Sequence, residues 1–166
     1  MEESARIARG DCKDLKSINV DEIDALLIPG GFGAAKNLSD FGFKGADMKV
    51  EEDVEKLMKE CHAKKKVIGL TCISPILAAK VLGKEGVKLT LGGRGENFPY
   101  AGALDVAESF GAKVVEMSID ETCTDWDHRV VTTGAYMQGD AKPHEVYDGV
   151  KDFVVNVQQA VQKTKG

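Results

Sequence analysis

Apolar residues along the chain fall into short runs separated by helical stripes. Ala25-Leu26-Leu27-Ile28, Val67 to Thr71, Val87-Lys88-Leu89-Thr90-Leu91, Lys113 to Met117 and Arg129 to Thr133 read as strands. The run at Val67 follows the polar Lys64-Lys65-Lys66, as expected for a strand entering a parallel sheet. Between the strands, Glu51 to Ala63 is an amphipathic helix with Val54, Leu57, Met58 and Cys61 on one stripe. Tyr100 to Phe110 is a second helix, ended by Gly111. A third runs from Pro143 to Gln162, with Val146, Val150, Phe153, Val154, Val157 and Val161 expected to face inward. Strands alternating with helices predict a parallel sheet covered on both faces. No repeat, linker or low-complexity tract interrupts the pattern, so residues 1–166 are expected to form one domain.

Within this pattern, Val67-Ile68-Gly69-Leu70-Thr71-Cys72-Ile73-Ser74-Pro75 reads as a buried strand, an abrupt turn and a helix opening on proline. Pro75 suits the first helical position and Ser74 the N-cap. Cys72 then sits at a strand-to-helix elbow, facing the free amides and positive end of the helix. That setting predicts a thiol pKa below the ordinary value of about 8.5, and hence a candidate nucleophile. The alternative is a small buried hydrophobe, a common role for free cysteine.

A second loop carries related information. Pro29-Gly30-Gly31-Phe32-Gly33 follows the Ala25 strand, and a helical stretch opens at Ala34-Ala35-Lys36-Asn37-Leu38. Side-chain-poor loops at the carboxyl ends of parallel strands are where open α/β sheets bind small molecules. Should the two strands be neighbours, amides at Gly31 or Phe32 and at Ile73 could converge on an oxyanion. The loop is not a nucleotide fingerprint: the third glycine of the dinucleotide motif is missing, and no Gly-Lys-Ser/Thr ends a phosphate loop.

Composition narrows the function classes. With 166 residues and 43% hydrophobic content the chain can bury one sizeable core. Lys+Arg at 22 against Asp+Glu at 27 leaves a net charge of -5 without a dense basic stripe, so nucleic acid is not an expected partner. No apolar stretch has the length of a membrane span. Cys12, Cys61, Cys72 and Cys123 show neither CxxC nor metal-ligand spacing and read as reduced thiols. His62 is expected to complement a helix end, His128 to be solvated in a polar turn at Thr124 to His128, and His144 to cap or decorate a helix start.

Leu27 to Ser39 (Leu-Ile-Pro-Gly-Gly-Phe-Gly-Ala-Ala-Lys-Asn-Leu-Ser) and Ile68 to Leu82 resemble the ES1 family. Pro99-Tyr100-Ala101-Gly102, Phe110-Gly111-Ala112-Lys113 and Val130-Val131-Thr132-Thr133 fit the same family. It is a branch of the DJ-1/PfpI superfamily, with the class I glutamine amidotransferase-like fold. The resemblance implies a flavodoxin-like three-layer α/β sandwich with a mostly parallel sheet. It implies Cys72 at the elbow and Gly31 with Ile73 as the oxyanion amides. It also implies glyoxalase-like conversion of glyoxal or methylglyoxal to hydroxy acids; neither cofactor nor metal is expected, and a homodimer or higher homo-oligomer is. The expected location is the mitochondrion where a transit peptide precedes the chain, and otherwise the cytoplasm.

Family members begin with a strand, a loop whose glutamate contacts the elbow cysteine, and a second strand. Here Met1 to Arg9 already resembles the family's interior, which implies that a βαβ unit of about 30 residues or more is absent. No acidic residue takes the glutamate's place by motif, and Glu116 to Thr122 contains no histidine. The other reading is therefore a binding or redox-sensing member of the fold. Without the first strand, the sheet is expected to expose an unpaired edge that promotes association.

Overall fold

The β2 strand (Val67–Thr71) lies at the centre of the sheet because its first four residues are apolar or glycine and can be buried on both faces. The computed structural model describes residues 2–165. In chain order, the elements before β2 are α1 (Glu2–Ala8), β1 (Ala25–Ile28), α2 (Phe32–Lys36), α3 (Phe41–Lys44) and α4 (Glu52–Ala63). After it come α5 (Pro75–Leu82), β3 (Lys88–Leu89), α6 (Gly102–Ser109), β4 (Lys113–Val114), β5 (Thr122–Asp125), β6 (Val130–Thr133) and α7 (Pro143–Lys165).

The main sheet has the order β1-β2-β6-β5. β1, β2 and β6 are parallel, with Leu27 opposite Gly69 and Leu70 opposite Thr132. β5 runs antiparallel to β6, and β3 with β4 forms a separate parallel pair. The chain thus forms a mixed α/β sandwich with a mostly parallel sheet, as its periodicity predicts.

Both helix layers follow from the side-chain stripes. Val54, Leu57, Met58 and Cys61 of α4 join Ile68, Leu70, Ile76, Leu77 and Leu104 in the larger core. The Glu51 carboxylate starts that helix by accepting the Val54 amide at 3.0 Å. On the opposite face Phe153, Val157 and Ala160 of α7 pack on Val67 and Val131. Gly69 makes this packing close: a Cβ there would stand 2.6 Å from Leu27 Cδ2 and 2.8 Å from Phe153 Cζ.

Several expectations change. Val150 and Val154, expected inward, are 37% and 42% exposed, because α7 lies over β2, β5 and β6 and leaves its flank toward β1 open. Leu27 on β1 is 48% exposed, and among the described strands β1 has a partner only on its β2 side. Strand β5 includes Thr124 and Asp125, expected in a turn; its Thr-Cys-Thr-Asp sequence lacks the apolar run that marks the other strands.

His128, expected in solvent, is half-buried: its Nδ1 lies 2.8 Å from Asp125 Oδ2, and its ring stacks on His62 at 5.8 Å. Asp125 also accepts the amides of Lys88 at 2.6 Å and of Asp127 and His128 at 3.1 Å. Burial raises the Asp125 carboxyl pKa, but the Lys88 and His128 bonds outweigh it and hold the group below its ordinary value. This buried carboxylate ties β3 to the β5–β6 turn.

Candidate active site

Cys72 has φ +59°, a left-handed conformation for a residue with a side chain. Such backbone strain persists only where the surroundings hold it. Here the Cys72 amide donates to Thr133 O at 2.9 Å, anchoring the turn to β6. Ser74 Oγ accepts the Thr71 amide at 3.0 Å and lies 2.6 Å from Ile28 O and 2.9 Å from Thr71 O. This buried hydroxyl therefore binds β1 to the elbow. The expected side-chain N-cap is absent: Ser74 holds the cap position without capping α5, which begins at Pro75 as predicted.

Parallel pairing of β1 with β2 brings the glycine loop onto the elbow. The Gly30 amide donates to Thr71 Oγ1 at 3.2 Å. A Cβ on residue 30 would lie 2.4 Å from Cys72 Cβ and 2.6 Å from Thr71 O, so only glycine fits. Gly31 needs glycine for a different reason. Its φ of +102° and ψ of +169° fall in a region nearly reserved for glycine, although the space around it is open.

The backbone amides of Gly31 and Ile73 lie beside the Cys72 thiol and favour its charged form. The two residues expected to flank the elbow thus meet there. The thiol pKa, however, departs from the expectation. Burial pushes it above its ordinary value, and the Ile73 and Gly31 amides pull it back only in part. The sequence pattern reveals the helix start but not the depth at which the sulfur sits. Burial also raises Cys123, and Cys61 more strongly, to about 11.

Cys72 lies on a cavity of about 990 Å³. Phe32, Phe41, Tyr100, Tyr136, Met137 and Val146 contribute most of its apolar wall. Among the described residues no histidine, aspartate or glutamate lines it, and Lys36 is its one charged residue. The Lys36 ammonium sits 5.1 Å from the Phe32 ring centroid and 5.8 Å from that of Phe43. Phe32 and Tyr100 meet edge to face at 6.4 Å across the mouth. Sequence reasoning missed this wall because its members come from distant segments; Lys36 lay inside the Gly33-Ala34-Ala35-Lys36 motif without an evident role. Among the described residues, no three His, Cys, Asp or Glu side chains gather as metal ligands, and no helix is long and apolar enough to cross a membrane.

An elbow cysteine against a glycine-rich loop at the carboxyl edge of a parallel sheet defines an amidotransferase-like α/β fold. The chain resembles the mitochondrial ES1 protein homolog of Rattus norvegicus, 43% identical over 97% of this chain and 60% of that protein. It also resembles the mitochondrial glutamine amidotransferase-like class 1 domain-containing protein 3 of Homo sapiens, 44% identical over 97% of this chain and 60% of that protein. The isoprenoid biosynthesis protein with an amidotransferase-like domain from Ehrlichia chaffeensis superposes with TM-score 0.81 and 31% identity, over 95% of this chain and 69% of that one. No family model matches the chain. The chain belongs to the ES1 family and has the amidotransferase-like fold that DJ-1 shares. It spans about 60% of the length of those curated relatives.

Proposed function

We propose that Cys72 is the nucleophile of a cofactor-free conversion of small 2-oxoaldehydes, such as methylglyoxal, to 2-hydroxy acids. The observation that carries this reading is the sulfur at a strained elbow, beside two backbone amides on the wall of an apolar cavity. In the proposed reaction the sulfur attacks the aldehyde carbon. A carbon–sulfur bond forms while the carbonyl π pair moves onto oxygen, where the Gly31 and Ile73 amides stabilise the charge. The thiol proton ends on that oxygen, giving a hemithioacetal. Hydrogen then passes from the first carbon to the neighbouring carbonyl carbon while the hemithioacetal hydroxyl proton moves to that carbon's oxygen, oxidising one carbon and reducing the other to give a 2-hydroxy thioester. Water cleaves the thioester, returning the thiol and releasing the hydroxy acid.

With a raised thiol pKa and neither carboxylate nor imidazole in the cavity wall, deprotonation is the costly step. Water entering the open cavity serves as the proton carrier. Turnover of methylglyoxal to lactate by the wild type, with at least a hundredfold loss in Cys72→Ala, is the expected result; equal rates defeat the proposal.

The lack of carboxylate and imidazole in the described cavity wall favours a second reading, in which the fold binds ligands at the Cys72 cavity without turnover, while the raised thiol pKa makes any oxidation sensing there slow. Peroxide would then oxidise Cys72 reversibly, while methylglyoxal remained unchanged. Under either reading we place the protein in mitochondria, in line with the location in the relatives' names. We also propose a homo-oligomer formed through the open β1 edge.

A further inference from the structure

We propose that Lys36 is an anion subsite of the Cys72 cavity, so that the preferred ligand carries a carboxylate or phosphate at the end remote from its carbonyl. This inference rests on the reading of Cys72 as nucleophile for its carbonyl half alone. The protein is acidic, with 27 acidic residues against 22 basic ones, yet no acidic residue lines this cavity. Among the described residues no carboxylate pairs with Lys36, a state it shares with most lysines of the chain, but Lys36 alone among them lines this cavity.

Instead, its ammonium rests against the faces of Phe32 and Phe43. Aromatic faces orient a cation without neutralising it. The lysine stem crosses Gly42, where a Cβ would stand 3.1 Å from Lys36 Cγ. Gly42 thus leaves room for the stem, and the two rings position the head. A cation so held can form a charge-assisted hydrogen bond with a ligand anion while the apolar wall takes the ligand's body. Neutral glyoxal and methylglyoxal leave that charge unused. The geometry therefore points to 2-oxoaldehydes with an anionic second end.

Calorimetric titration with three thiol-inert probes tests the subsite: 3-phenylpropionate, phenyl phosphate and the neutral 3-phenylpropanamide. At least one anion should bind about tenfold or more tightly than the amide, a preference lost in Lys36→Gln and retained in Lys36→Arg. Comparing the two anions distinguishes a carboxylate from a phosphate subsite. Equal binding of all three probes, an anion preference that survives Lys36→Gln, or no anion binding at millimolar concentration overturns the proposal. Because none of the probes reacts with a thiol, absence of methylglyoxal turnover defeats the reading of Cys72 without affecting this result.

Discussion

Gly30 and Cys72 lie so close that a single methyl group cannot be placed between them: a Cβ on residue 30 would stand 2.4 Å from Cys72 Cβ. Gly30→Ala should therefore force the loop off the elbow and cost about 1–3 kcal/mol, as other overpacked sites do. Urea unfolding measures the loss. A variant as stable as wild type would mean that the two loops can separate without cost.

Gly31 poses a conformational problem instead, since nothing lies within 4 Å of the position its Cβ would take. Gly31→Val should cost on the order of 1–3 kcal/mol through backbone strain. It should also turn its amide away from the sulfur, lowering Cys72-dependent turnover about a hundredfold in chains that remain folded. Full activity in a folded variant would remove this amide from the site.

Alkylation of Cys72 should be slow at neutral pH and rise with an apparent pKa above the free-thiol value of about 8.5, because burial favours the neutral thiol. Rate against pH with iodoacetamide, read at the Cys72 peptide, is the measurement. A midpoint below the free-thiol value would restore the expectation drawn from the helix start. Here the sequence was legible in part: the strand, the turn and Pro75 follow from local patterns, whereas the pairing of Gly31 with Ile73 comes from the family resemblance. Sulfur depth depends on tertiary packing, which brings segments as distant as Tyr136, Met137 and Val146 to the same cavity. Strand β5 was illegible for a related reason, since Thr122 to Asp125 is stabilised by pairing with β6 and by bonds to the Asp125 carboxylate.

Stability should fall above pH 9. In the unfolded chain the Cys61 thiol ionises near the ordinary thiol value of about 8.5, whereas burial raises it to about 11 in the fold. The unfolded state therefore binds fewer protons across that interval, and stability declines as pH rises, by about 3 kcal/mol in all. Cys61→Val should flatten the decline. An unchanged slope in that variant would assign the effect to other groups.

The open flank at Leu27, Val150 and Val154 predicts concentration-dependent self-association. Sedimentation velocity should show it for wild type and a shift toward monomer for Leu27→Lys. A wild-type monomer at all concentrations would contradict association through β1.

The covalent role of Cys72 can be observed directly by carbon NMR of the protein incubated with methylglyoxal labelled at the aldehyde carbon. A protein-bound hemithioacetal resonance should appear and give way to labelled lactate, with both signals absent in Cys72→Ala. Lactate formed at the same rate by Cys72→Ala would contradict the assignment of Cys72 as the nucleophile.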